Sequence, residues 1–143
     1  MVKTNTFSSL EVLRDMAISP GSVFLGPWEN IDHEKFVVVA GVAKDRVLVC
    51  SVLINSLINQ YIQRRPRMLA CQVEMKAEDY NFLSHNSYIN CAQPIKAKYE
   101  HFKNEELKYC GMLTDELLIK VRQAIIDSDL LTNEEIEQFF GEL

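Results

Sequence analysis

No run of about 18 apolar residues occurs in this 143-residue chain, so the sequence holds no candidate membrane-spanning helix. The N-terminal MVKTNTFSSLEVLRDMAI is broken by Glu11, Arg14 and Asp15, and it does not read as a secretory signal. Those two absences predict a cytoplasmic protein. No Cys-x-x-Cys pair is present either: Cys50, Cys71, Cys91 and Cys110 are widely spaced. Cys50 and Cys91 sit inside apolar runs, where a reduced thiol behaves as a small hydrophobe, so buried structural thiols are expected. His33, His85 and His101 are just as scattered, and neither a metal nor a cofactor is expected. Internal repeats and low-complexity linkers are also lacking.

What is present fits one globular domain over residues 1–143. Hydrophobic residues make up 48% of the chain and charged residues 24%, the proportions of an ordinary core and surface. Fifteen basic and twenty acidic residues give a net charge of −5. Six of the acids (Asp127, Asp129, Glu134, Glu135, Glu137 and Glu142) fall in residues 127–143, which contain no Lys or Arg. The body before them therefore has fourteen acids against fifteen bases, or +1. The overall balance argues against indiscriminate nucleic-acid binding, while the body alone is neutral enough to allow a local basic site. The acidic segment reads either as a solvated helix face or as a shield over such a site.

Along the chain, Ser8 and Glu11 form a capping-box pattern, with Leu10, Leu13, Met16 and Ala17 at helical spacing, so residues 1–20 predict a helix ended by Pro20-Gly21. Ser22 to Leu25 reads as a short strand stopped by Gly26-Pro27. KFVVVAGV (35–42) and RVLVCSVLI (46–54) are rich in β-branched residues around Ala43-Lys44-Asp45 and predict a hairpin. NSLINQYIQRRPR (55–67) predicts a loop. MLACQVEM (68–75) and Ser87 to Ala92 predict strands, with a turn between them, and Pro94 puts the next residues at a sheet edge or outside it. Residues 95–109 are too charged to assign. Thr114, with Asp115 and Glu116 after it, caps a helix with Leu117, Leu118, Val121 and Ile125 on its buried stripe. Thr132 and Glu135 form a capping box for a terminal helix reaching Phe139 and Phe140.

Five short strands with helices at both ends predict a mainly β fold: a small barrel with N-terminal and C-terminal helices. Residues 21–126 would form the barrel and its closing helix, and 127–143 an acidic terminal helix. Apolar Phe139 and Phe140 on that last helix, together with the barrel's strand edges, predict a homodimer.

The succession GSVFLGP, HEKFVVVAG, RVLVCSVLINS, FLSHNSYINC and CGMLTDELLIKV resembles the PemK/MazF-like toxin superfamily, of which this would be a divergent member. The resemblance covers residues 21–126. It implies an SH3-like barrel, a homodimer, single-stranded RNA as substrate, an antitoxin-like protein as partner, and endoribonuclease activity. Typical members open their second strand with an arginine and end the third with a serine or threonine. Here the matching positions are Lys35, preceded by His33 and Glu34, and Ser56, next to Asn55; Ser51 is the alternative hydroxyl. Lysine holds a phosphate as a point charge but lacks the bidentate fork of arginine.

Other residues are read on their own chemistry. His33 is either a general acid or base, since imidazole titrates near neutrality, or a solvated surface histidine. Arg64, Arg65 and Arg67 with Tyr61 join phosphate-binding cations to a base-stacking ring; otherwise they are a solvated loop. Trp28 is a binding aromatic or the cover of one end of the core. His85, Asn55 and Asn59 read as turn residues bonding backbone. Two functions stay open: an RNA-cleaving toxin-type protein, and a non-catalytic barrel module that binds protein or nucleic acid.

Overall fold

The computed structural model describes residues 13, 16–28 and 31–141. Ser8, Leu10 and Glu11, the heart of the expected N-terminal helix, lie outside those residues; Met16 and Ala17 are helical. Seven strands come next: β1 (Ser22–Gly26), β2 (Lys35–Val42), β3 (Leu48–Asn55), β4 (Gln72–Met75), β5 (Ser87–Asn90), β6 (Ile95–Lys98) and β7 (Lys108–Met112). The helices are α1 (Gln60–Gln63), α2 (Pro66–Leu69), α3 (Asp115–Asp127) and α4 (Asn133–Phe140). Short 3₁₀ turns cover Ala77–Asp79 and Tyr99–Lys103.

All the strand pairs are antiparallel, in the order β4-β5-β3-β2-β1-β7, with β6 also paired to β3. Strand β3 divides its outer edge between two partners. Leu48 to Ser51 pair with β6, and Ile54 and Asn55 pair with β5. No ladder joins β4 to β7 among the described residues, so the sheet is open and the expected barrel closure is not made. Helices cover its face instead, α3 packing on β4 and β2 and α4 on β2.

After Lys35, FVVVAGV (36–42) is apolar without a break because β2 is buried on both faces. Val38 and Ala40 enter one cluster with Val23, Cys50, Val52, Ile89, Val121, Ile125, Phe139 and Phe140. Val37 and Val39 enter another, with Phe24, Val49, Tyr99 and Phe102. Trp28 packs against the second cluster, 4.5 Å from the His101 ring and 5.9 Å from Phe102, so it covers core. At Gly41, beside an irregularity in the β2–β3 register, a Cβ would collide with the Phe139 carbonyl and come within 2.9 Å of the Phe140 ring. Only glycine lets α4 approach β2 this closely.

Several local expectations change. Residues 55–67 are not a loop throughout. Asn59 accepts a hydrogen bond from the Ile62 amide (2.9 Å) and caps α1, buried Ile62 anchors that turn, and Pro66 starts α2. Strand β4 consequently begins at Gln72 rather than Met68. The charged stretch 95–109 holds edge strand β6, the 3₁₀ turn anchored by Tyr99 and Phe102, and the start of β7. Both C-terminal caps form at the expected residues: Thr114 accepts from the Leu117 amide at 3.2 Å, and Thr132 and Glu135 make a complete capping box.

The acidic end is structural. Phe139 and Phe140 are buried within the chain itself, which removes the apolar surface that argued for a dimer. Glu135 bonds Lys96 on β6; that hydrogen bond, with the one from the Thr132 backbone, holds its carboxyl below the usual range. Ending the chain at Ser128 should therefore abolish the cooperative thermal melt. Losing each buried phenylalanine costs about 3–5 kcal/mol, against about 5–15 kcal/mol for a whole domain. A truncated chain that melts like the full one would show that α4 is dispensable.

The four cysteines are unpaired. Burial pushes the Cys50 thiol up to about 12 and raises Cys91, Cys71 and Cys110 as well. Cys50, Cys71 and Cys91 are buried, whereas Cys110 is half-exposed. Since the thiolate is the reactive form, iodoacetamide at pH 8 should label Cys110 first and Cys50 and Cys91 only after denaturation. Peptide mass mapping checks this; Cys50 labelling as fast as Cys110 would contradict the packing.

Candidate functional site

The register of the central strands gathers one group of polar side chains at one end of the sheet. Phe36 pairs with Ile54 across β2 and β3, so Lys35 and Asn55, just outside that pair, face each other. The Lys35 ammonium donates to Asn55 Oδ1 at 2.5 Å. Asn55 in turn pairs with Tyr88 on β5, which brings the 83–87 turn to the same end. A cavity of about 170 Å³ opens here. His33, Glu34, Lys35, Ser56, Ser84, His85 and Ser87 supply its polar lining, over a floor of Phe36, Ile54 and Leu83. Phe36 and Phe82 pack with ring centroids 5.6 Å apart, fixing the floor.

Lys35, Ser56 and His33, separated in the chain, thus share one cavity. Lys35 is half-buried, and desolvation lowers its pKa from the ordinary 10.5. His33 Nδ1 lies 3.0 Å from Asp32 Oδ1, and that hydrogen bond pulls the Asp32 carboxyl down. Ser56 is exposed where β3 ends. The alternative hydroxyl, Ser51, is fully buried and donates to the Ile95 carbonyl at 3.1 Å, so it is a sheet residue.

Two residues of this end depart from the turn role their sequence suggests. Asn55 bonds a side chain rather than backbone, and it is the group that positions the Lys35 ammonium. His85 faces the cavity, with Nδ1 2.9 Å from Ser84 Oγ, while its carbonyl accepts from Ser87 Oγ at 3.1 Å. The sequence signal for Asn55 is its place opposite Lys35 in a hairpin. His85 has none, because its approach depends on β5 pairing with β3.

The arginine cluster divides. The Arg65 guanidinium stacks on the Tyr61 ring, 3.5 Å from its centroid, and donates to the Tyr61 carbonyl at 2.8 Å. One face of the expected base-stacking ring is therefore occupied by arginine. Arg64 bonds Gln60 at 3.5 Å. Arg67 instead lines a separate groove with Cys71, Asp127 and Leu130. None of these four residues lines the cavity of Lys35, and neither does any residue of the acidic C-terminal segment.

Among the described residues no three His, Cys, Asp or Glu side chains converge to hold a metal ion, and no helix is long and apolar enough to cross a membrane. No protein-family model matches the chain, and no curated protein does. A solved structure with a similar chain path is the Mycobacterium tuberculosis toxin MazF-mt6, 15% identical over 78% of this chain and 98% of that one, with a TM-score of 0.49. A likeness at that level carries no weight for chemistry or partners.

Proposed function

We propose that this protein is a toxin-type endoribonuclease of the PemK/MazF-like kind, acting on single-stranded RNA. The observation that carries this reading is the single cavity lined by Lys35, Ser56 and His33. A cation, a hydroxyl and an imidazole at one concave site are groups suited to cleaving a phosphodiester by charge stabilisation and proton transfer. Lys35 holds the scissile phosphate as a point charge, and Asn55 fixes where that charge sits. Ser56 donates to a phosphate oxygen. His33, with its Nδ1 turned to Asp32, presents Nε2 for proton transfer. Glu34 is the one carboxylate in the lining among the described residues, so the phosphate approaches from the Lys35 side. The SH3-like assignment, an antitoxin-like partner and a homodimer belong to the same proposal and rest on the resemblance of the quoted segments; a cytoplasmic setting and a single domain belong to it too and rest on the sequence features given above.

Arg64, and Arg65 stacked on Tyr61, supply a second contact with the RNA backbone outside the cavity. The guanidinium plane itself offers a stacking surface for a base. Arg67 contributes less, because Asp127 shares its groove.

A second reading, a binding module without cleavage, is favoured by one feature: the Lys35 ammonium is already bonded to Asn55 and partly desolvated. Assays with the intact chain and short single-stranded RNAs separate the two. Lys35→Ala and Ser56→Ala should each lower the cleavage rate by on the order of 10²-fold, the scale of removing one transition-state contact. RNA that is bound but never cut would make the protein a module. Cleavage that survives both changes would put the chemistry elsewhere.

Neutralising Arg64 and Arg65 together should weaken RNA binding and flatten its log–log salt dependence by roughly 1.4, at about 0.7 per phosphate contact on a single strand. Arg67→Gln should leave the slope nearly unchanged. Filter binding from low to moderate salt reads both, and an unaltered slope in the double variant would leave these arginines as solvated surface.

A further inference from the structure

The cavity holds two imidazoles, and their immediate partners differ in charge. His33 Nδ1 is 3.0 Å from the Asp32 carboxylate, whereas His85 Nδ1 is 2.9 Å from the Ser84 hydroxyl. Each contact engages Nδ1 and leaves Nε2 as the nitrogen available to a ligand. An ionised carboxylate only accepts, so Nδ1 of His33 carries the hydrogen and Nε2 is left as the acceptor that a base needs. A hydroxyl accepts as well as donates, so Ser84 Oγ can take Nδ1–H of a His85 ring that carries a hydrogen on Nε2 as well. Among the described residues, the charged and titratable groups around the two rings are Asp32, Glu34 and Lys35.

We propose that His33 and His85 form an acid–base pair across this cavity, with His33 the base and His85 the acid in RNA transphosphorylation. The inference rests on the RNA-cleaving reading and adds a catalytic residue to it. In the step, the ribose 2′-oxygen attacks the adjacent phosphorus and forms an O2′–P bond. The P–O5′ bond breaks, its electron pair passing to O5′. The 2′-hydroxyl proton goes to Nε2 of His33, and Nε2–H of the His85 imidazolium gives its proton to O5′. The products are a 2′,3′-cyclic phosphate end and a 5′-hydroxyl end. Exchange with water then returns a proton to His85 and removes one from His33. Lys35 holds the non-bridging oxygens on which negative charge builds.

The assignment is tested by changing the leaving group. A substrate with sulfur in place of the bridging 5′-oxygen expels a thiolate, which leaves without a proton. His85→Gln should slow cleavage of the all-oxygen RNA by about 10²-fold or more and recover most of that loss on the bridging-sulfur substrate. His33→Gln should be slow on both. Because His85 is exposed, His85→Gln should melt as the wild type does, so a slow rate is not misfolding. A His85→Gln enzyme as fast as wild type on all-oxygen RNA, or equally impaired on both substrates, overturns the assignment of His85. If wild type cleaves and Lys35→Ala does not, the RNA-cleaving reading survives that result. A wild-type chain that cleaves neither substrate overturns that reading and this pair with it.

Discussion

The double-sided burial of β2 is the constraint on which the rest of the structure depends. Any shift of the β2 register moves side chains in two packed clusters at once. Val37 and Val39 fill one cluster while Val38 and Ala40 fill the other, so any one-residue slip exchanges the two sets. Each such valine contributes about 1.5–3 kcal/mol through burial. Gly41 adds a steric condition, since α4 passes directly over it. Arg122 fastens the same region: buried on α3, it donates to the Ala40 carbonyl at 2.8 Å and lies 5.1 Å from the centre of the Phe140 ring. A buried cation is costly unless it is bonded, so α3, β2 and α4 hold together as one unit.

Fixing β2 fixes the candidate site, because the cavity is built from strand ends. Lys35 begins β2, Asn55 ends β3 with Ser56 next to it, and the turn carrying Ser84 and His85 enters β5. The ladder of β2 with β3 sets how Lys35 meets Asn55. The pairing of β3 with β5 sets how His85 meets both. The rigid part of the molecule thus positions the candidate site: Lys35 and Asn55 stand on strand ends, and His33, Ser56, Ser84 and His85 on the connections beside them.

Features governed by local sequence were legible. The Thr114 cap and the Thr132–Glu135 box form at the expected residues, and the β2–β3 hairpin falls within two residues of its expected start. What escaped depended on distant partners. Strand β6 does alternate, Ile95 and Ala97 inward against Lys96 and Lys98, but four residues after Pro94 are too few to announce a strand; β3 presents Leu48 to Ser51 for pairing with it. Strand β7 is similarly held by β1. The turns α1 and α2 escaped because the asparagines, arginines and Pro66 of residues 55–67 read as loop markers, whereas Asn59 caps α1 and Pro66 opens α2. Openness of the sheet is a long-range property, and short strands with flanking helices are compatible with either outcome. At the site, the shared cavity of Lys35 and Ser56 comes from hairpin geometry, whereas the approach of His85 requires the β3–β5 pairing.

The Lys35–Asn55 contact bears on how a lysine could serve where an arginine would be the usual choice. Arginine brings a fork whose two donors orient a phosphate by themselves. Lysine brings a mobile point charge, and its orientation must come from outside. Asn55 supplies that restraint, and the partial burial of Lys35 lowers the dielectric around the ammonium and strengthens its pull on an anion. The same burial makes the proton easier to lose. The gain in attraction therefore holds only while the amine stays charged, and it disappears at a lower pH than it would for an exposed lysine. A site built this way relies on its neighbours for geometry that arginine would carry within its own side chain. That dependence is why Asn55, which restrains the Lys35 ammonium, counts with Lys35 in the candidate site.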